Sequence, residues 1–328
     1  MRARLYDADG RDREVDLEPD LARSLARDQL LWVDVDRRDR EDLEQVARAV
    51  GLTDRTLARL RESADRADLT QSPDHIHLRL LAIDVEDEEG STSAADPDAS
   101  LRRHPVDLVA GRDWVLTVHE GPLPGLERFD AATEGETRLG ALDASSFVAA
   151  VADEILDDYL ELVESIEIEI DRLDQRALRG QTDSDVLDRI VRVRRRIGFI
   201  RRTLAPHRVA FAALARPDMA LHGELGQPWP GLTERLERAL EAVENLRDLL
   251  LGTFDIYMGR AAQDSNETMK VLTLTSAVLL PAVVLAGVMG MNFKLPFFDD
   301  TNNFWIVVGA MVAFAISLLV VAKWRRWW

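Results

Sequence analysis

The sequence predicts an α/β domain followed by long helices and a two-helix hairpin of membrane-spanning length. Three observations carry this reading. Short apolar segments alternate with an amphipathic stretch through residues 1–140. Apolar residues then recur at 3,4 spacing over several long runs. Two uncharged apolar segments, 271–289 and 304–322, follow.

In the first region, Leu30-Leu31-Trp32-Val33-Asp34-Val35 reads as a strand. Residues 39–50 read as a helix with Leu43, Val46, Ala47 and Val50 on one face. Residues 76–83 read as a strand, and 105–110 and 113–119 as two more, joined by Ala110-Gly111-Arg112. Residues 87–100, rich in Ser, Asp and Glu, read as a loop. These elements make a mixed α/β domain over 1–140.

A helical hairpin is expected over 141–231. Leu156, Tyr159, Val163, Ile166, Ile170 and Leu173 follow 3,4 spacing. Val186, Ile190, Val193, Ile197 and Ile200 repeat it beyond a break at Gly180. A third run, Leu232, Leu236, Leu240, Val243, Leu246, Leu250 and Tyr257, meets no strong stop before Pro281. It predicts one helix over 232–289, a stalk continuing into the first apolar segment. At 1.5 Å per residue such a helix is roughly 85 Å long, which calls for neighbours along its length.

Charge and composition exclude several functions. The net charge is −18. Nucleic-acid binding wants a basic face, so it is not expected. There are no cysteines, which removes disulfides, thiolate metal sites and cysteine nucleophiles. Of the six histidines only His75 and His77 are close, and no third ligand lies near them. The run Asp153, Glu154, Asp157, Asp158, Glu161, Glu164, Glu167, Glu169 and Asp171 falls between heptad core positions and reads as a solvated face. No phosphate loop, nucleophile elbow or metalloprotease motif appears, so no enzyme is expected. Residues 1–40 show no signal-peptide pattern.

Each apolar segment has nineteen residues and covers roughly 28 Å, close to a hydrocarbon core. The loop 290–303 between them is short, so both flanks share one side of the membrane. Lys270 precedes the first segment; Lys323, Arg325 and Arg326 follow the second. The positive-inside rule places both flanks and both termini in the cytoplasm and the loop outside. Trp305 and Trp324 stand at the ends of the second span as interface anchors. The expected location is the inner, cytoplasmic membrane.

A 3,4 stripe runs from the stalk into the first span: Asn266, Met269, Thr273, Ser276, Leu280, Val283 and Gly287. It carries amide, hydroxyl and small residues. Such a stripe suits either close helix packing or the lining of a pore in a ring of identical helices.

Asn266-Glu267-Thr268-Met269-Lys270-Val271-Leu272-Thr273, then Pro281, then Gly290-Met291-Asn292-Phe293 resembles the CorA family of magnesium channels and transporters. The Gly-Met-Asn triplet directly after the first of two C-terminal spans is that family's signature. The resemblance implies a homopentameric funnel in a lipid bilayer, carrying magnesium and also cobalt or nickel, with no tightly bound cofactor. It implies an outer filter at Gly290, Met291 and Asn292, a second asparagine ring at Asn266, and apolar constrictions at Leu272 and Leu280. It also implies a regulatory magnesium site between subunits, with Asp84, Glu86 and Asp87 as candidates. The family's stalk carboxylate falls at Gly231 here, with Glu234 the nearest acid. Lys294 follows the motif where an acid would attract cations better, and Asp299 and Asp300 lie just beyond. The alternative is a ZntB-like, proton-coupled zinc transporter of the same architecture.

Overall fold

A computed structural model describes residues 1–7, 12–26, 28–86, 100–133, 143–180, 184–216, 229–291 and 301–324. These residues form two compact units: Met1–Arg176 with Asp183–Phe254, and Ala177–Thr182 with Asp255–Trp328.

The first unit holds a sheet and its covering helices. The strands are β1 (Arg2–Asp7), β2 (Arg13–Glu14), β3 (Gln29–Val35), β4 (Asp68–Gln71), β5 (Ile76–Glu86), β6 (Ser100–Ala110) and β7 (Trp114–Val118). Their spatial order is β2-β1-β3-β7-β6-β5-β4. Among them only β3 and β7 run parallel, with Val33 opposite Leu116 and Asp34 opposite Thr117. Leu31, Val33 and Val35 point to one face of the sheet. There they meet Leu43, Val46 and Val50 of α1 (Arg40–Val50) and Leu60 of α2 (Asp54–Arg61). Trp32, on the opposite face, stacks on Tyr6, meets Phe129 edge-on and Phe147 at a tilt, at ring distances of 5.4–6.5 Å. Phe129 belongs to α3 (Pro124–Thr133) and Phe147 to α4 (Ala144–Leu178).

The 3,4-spaced residues of the three helical runs are buried throughout α4, α5 (Ser184–Leu204) and α7 (Trp229–Met289). Gly180, at φ +75°, takes the left-handed conformation that ends α4, where the break was expected. The long third helix is continuous over 61 residues. A short helix α6 (His207–Leu214) was not anticipated.

Two differences have physical causes. The expected strands at 76–83 and 105–110 are longer, since β5 reaches Glu86 and β6 starts at Ser100. The two pair over their whole length, and pairing rather than apolar pattern carries them past their apolar parts. Residues 87–99 of the expected loop lie outside the described residues. The acidic run on α4 is not simply solvated. Asp153 and Asp157 both hold Arg235 of α7, Asp158 and Glu154 hold Arg128 of α3, and Glu169 holds Arg196 of α5. Part of that face therefore ties α4 to three other helices.

Asp107 of β6 is fully buried and is the hub of a charged network. Arg38 Nη1 and Arg79 Nε each donate to it at 2.7 Å, and His77 Nε2 lies 2.5 Å away. The two guanidinium groups spend further donors on the carbonyls of Leu60, Pro105, Arg59 and Glu62. Burial raises the Asp107 pKa, but the bonds from His77 and Arg79 outweigh it and hold the carboxyl low. His75 instead pairs with Thr56 at 2.8 Å. The two close histidines thus each have a protein partner of their own. Replacing Asp107 with Ala leaves buried Arg79 without its counter-charge and Arg38 with only the exposed Glu120 at 3.3 Å. A loss of about 3–5 kcal/mol is expected, read as a large drop in the melting temperature of the detergent-solubilised protein.

The pairing of β4 with β5 reaches no further than Arg79, opposite the first residue of β4, and two residues on Leu81 stands opposite Pro105. Side chains take both backbone groups of Leu81. The Tyr159 hydroxyl donates to its oxygen at 2.5 Å, and its N–H donates to His207 Nε2 at 2.9 Å. His207 Nδ1–H donates in turn to Leu204 O at 3.0 Å, so this ring must be neutral to serve both bonds. Burial pushes its pKa down to about 4. The unfolded chain, with histidine near 6.5, takes up the proton first as pH falls. Stability is therefore whole above about pH 6.5 and declines toward pH 4, by up to ~3 kcal/mol. Thermal melts from pH 7.5 to 4.5 should show this decline, and His207→Gln should flatten it.

Candidate functional site

The second unit contains the apolar end of α7 and α8 (Thr301–Trp324). Both helices contain windows of mean hydropathy 2.3 and 2.7, long and apolar enough to cross a membrane, and no residue of those windows is buried in the chain. Large side chains stand bare along both: Leu272 is 62% exposed, Leu280 and Val283 are 67%, and Trp305 is 66%. Water does not tolerate an apolar patch of this extent, so lipid or further chains must cover it. In lipid every backbone group needs an internal partner, and two unbroken helices supply this. The one interior exception is Pro281, which lacks the N–H that would reach Ala277 O.

All eight candidate pore residues are exposed on α7: Asn266, Met269, Leu272, Thr273, Ser276, Leu280, Val283 and Gly287. From Asn266 to Gly287 the stripe climbs roughly 31 Å, about one hydrocarbon thickness. Leu272 stands about 100° round the helix from Thr273, so it flanks the stripe rather than lying on it.

The hydroxyls divide into two kinds. Thr268 and Thr275 donate back to the carbonyls of Asp264 and Val271 at 3.0 and 2.9 Å. That is how hydroxyls hide in an apolar setting. Thr273, Ser276 and the Asn266 amide have no hydrogen-bond partner among the described residues. The stripe therefore holds the unused polar capacity of an otherwise apolar surface. A Cβ built at Gly287 would meet nothing within 4 Å, and one at Gly290 would meet Ala286 O at 3.4 Å. Local packing thus does not demand glycine at Gly287, and close approach by another helix would.

α7 closes just past Met289. Gly290 N–H donates to Ala286 O at 3.0 Å and Met291 N–H to Val288 O at 3.2 Å. Asn292, Lys294, Asp299 and Asp300 lie outside the described residues, as does Asp87. Of the other regulatory candidates, Asp84 is half-buried in β5 opposite Arg102, and Glu86 ends that strand opposite Ser100. Glu234 lies in the first turns of α7 and pairs with Arg238 at 2.9 Å. Among the described residues no group of three or more His, Asp or Glu is placed to hold a metal.

Comparison with known proteins bears on this arrangement. A family model described as "CorA-like Mg2+ transporter protein" matches residues 27–323. A cobalt/magnesium transport protein CorA of Thermotoga maritima is 27% identical over 186 residues. That match covers 56% of this chain and 53% of that protein, so the chain spans about half the length of this relative. The complete structure of the CorA magnesium transporter from Methanocaldococcus jannaschii superposes with a TM-score of 0.78 at 19% identity, covering 98% of each chain. The cytoplasmic domain of ZntB from Vibrio parahaemolyticus superposes at 0.56 with 11% identity, covering 80% of this chain and 99% of that one. The α/β domain, long helix and apolar hairpin are thus the fold of the complete CorA structure, and the ZntB cytoplasmic domain shares its cytoplasmic part, so that part of the fold does not by itself distinguish the two. With the family model matching nearly its whole length, the chain belongs to the CorA family.

Proposed function

We propose that this chain is a divalent metal cation channel or transporter that carries magnesium, with cobalt or nickel as further cargo, as a homopentamer in the inner membrane. The observation that carries the reading is the unspent hydrogen-bonding capacity of Asn266, Thr273 and Ser276 on a helix face that is otherwise apolar. One pair of spans cannot enclose a pore, so that face must meet its own copies around an axis. Gly290, Met291 and Asn292 form the outer filter in this reading, and Asn266 the inner ring.

The chemistry suits magnesium. Mg²⁺ gives up water reluctantly. Amide and hydroxyl oxygens accept hydrogen bonds from a hydrated ion without stripping it, whereas a ring of carboxylates would hold it too firmly to release it. Leu280 and the flanking Leu272 narrow the path with apolar surface, which closes a pore by dewetting. Lys270 and Lys323 flank the two spans and favour cytoplasmic ends for both.

Neither span contains Asp, Glu, His, Lys or Arg, so nothing in them relays a proton. Flux of Mg²⁺ into liposomes should therefore proceed without a proton gradient. Zinc uptake that rises steeply with an inward proton gradient, with magnesium uptake absent, would overturn the reading in favour of the zinc alternative. In the same assay Asn292→Ala should abolish selective Mg²⁺ uptake in an oligomer that still assembles. Thr273→Val should slow uptake about tenfold, the equivalent of one hydrogen bond of ~1.4 kcal/mol. Thr275→Val, whose hydroxyl is satisfied by its own helix, should leave it unchanged.

Cytoplasmic Mg²⁺ also regulates in this reading, by relieving repulsion between acids of neighbouring copies around Asp84, Glu86, Asp87 and Glu234. Millimolar Mg²⁺ should raise the melting temperature of the purified oligomer. The effect should fade as salt shortens the Debye length from about 10 Å to about 3 Å. Insensitivity to Mg²⁺ at every salt concentration counts against it.

A further inference from the structure

The parallel pair β3 and β7 lies where the chain's connections part. β3 leads into α1 on the face of Val33, and β7 leads into α3, whose Phe129 packs against Trp32 on the other face. Adjacent parallel strands whose connections leave to opposite faces open a crevice at their carboxyl ends, and open α/β sheets bind ligands there. A cavity of about 320 Å³ occupies that place, with Asp34, Asp36, His119, Leu123, Leu126 and Glu127 in its lining.

His119 is only 5% exposed. Its main-chain N–H donates to Val35 O at 3.0 Å, which seats it at the strand ends. Gly121, at φ +77°, turns the chain back so that its carbonyl accepts from His119 Nδ1 at 2.7 Å. That bond places the hydrogen on Nδ1 and leaves Nε2 for the crevice. Nε2 is buried, has no hydrogen-bond partner, and lies 3.2 Å from Asp34 Oδ1. A carboxylate oxygen and an imidazole lone pair at this distance repel unless a cation stands between them. Burial disfavours the imidazolium, but Asp34 and the Gly121 carbonyl outweigh it, and the His119 pKa is raised.

Asp34 is oriented just as firmly. The Thr117 hydroxyl donates to its Oδ1 and accepts from Trp32 Nε1 at 3.2 Å. An imidazole braced by a backbone carbonyl and a carboxylate braced by a hydroxyl are how metal-ligating side chains are held from outside. The acids exposed on the rim, Asp36 and Glu127, add negative charge. Arg37 and the Met1 ammonium, 3.5 Å from Asp36 Oδ1, oppose them, while Arg2 is engaged by Asp130 at 3.1 Å.

We propose that His119 and Asp34 form a binding site for divalent ions of the zinc, cobalt and nickel class, with Asp36 at its rim and water in the remaining positions. An imidazole ligand favours these ions over magnesium, which prefers oxygen donors throughout. With fewer than three protein donors assembled among the described residues, the ion keeps its waters and exchanges readily, as suits a sensor rather than a structural site. Binding displaces the proton from Nε2, so it tightens as pH rises.

Calorimetric titration of the purified full-length protein with Zn²⁺ tests this, run near pH 7 in two buffers of different ionisation enthalpy. One ion per chain should bind with release of a proton and more tightly at higher pH. His119→Gln and Asp34→Asn should each remove that event. Thr117→Val, which leaves both ligands but frees Asp34 to turn, should weaken it by about 10–100-fold. Asn292→Ala should leave it intact, which separates it from any ion held by the pore. Excess Mg²⁺ should not compete. If the Zn²⁺ isotherm and its proton release are the same in His119→Gln and Thr117→Val as in the wild type, or if the wild type binds no Zn²⁺, the site is rejected. Melting curves of each variant show whether a loss comes from unfolding. Should the His119→Gln substitution prevent folding, Thr117→Val decides alone.

Discussion

One constraint shapes the membrane end of this chain: apolar spans that must leave water carry a polar stripe that must not be left in lipid. Leu280 and Val283, each 67% exposed, would be at ease among lipid tails. The Asn266 amide and the hydroxyls of Thr273 and Ser276 would not, because each would lose water and gain no partner. Thr275 shows that the helix can absorb a hydroxyl when the side chain turns back on its own backbone. The stripe groups do not do this. Their free energy is recovered only where they face water, ions or another copy.

The cytoplasmic unit answers a different need. α7 enters it through Leu236, Ala239, Leu240, Val243 and Leu246, all buried. Apolar burial fixes which face turns inward but lets a helix slide along its axis. Arg235, gripped by Asp153 and Asp157 of α4, resists such sliding. These groups are only partly exposed, and screening leaves each bond a modest energy. Their value lies in register more than in stability.

Much of this was legible in the sequence, and the pattern of success follows from the range of the interactions. The heptads of α4, α5 and α7 declare themselves because each buried face is written at one period over many turns, as with Leu156 through Leu173. Strands β3, β5 and β7 were visible as apolar runs. β1, β2 and β4 were not. Arg2, Arg4, Asp68 and Gln71 are polar, and these strands exist because neighbouring strands pair with them. The spacing of the polar stripe on α7 was visible in the sequence, but the division between Thr273 and Thr275 needed side-chain geometry. The acidic face of α4 was misjudged in part because its arginine partners come from α3, α5 and α7, up to 82 residues away in sequence. His119 gave no local signal, because its carboxylate comes from the neighbouring parallel strand, far off in sequence.

The two cation chemistries proposed for the chain answer to different ligand rules. Oxygen atoms of neutral amides and hydroxyls read an ion through its water shell, by size and charge. Mg²⁺, Co²⁺ and Ni²⁺ are all hydrated divalent ions, so such a path separates them weakly. An imidazole beside a carboxylate binds the ion directly and separates them well, because affinity for nitrogen rises along the transition series and is low for magnesium. Under the proposed function, a pore that admits both classes would gain from a second site that recognises only the scarcer one. The crevice at the ends of β3 and β7 has the ligand type for that task. Selection by shell and selection by ligand are physically incompatible in one site, since the first requires the waters to stay and the second requires some to leave. That incompatibility is reason enough for the chain to keep them on separate elements.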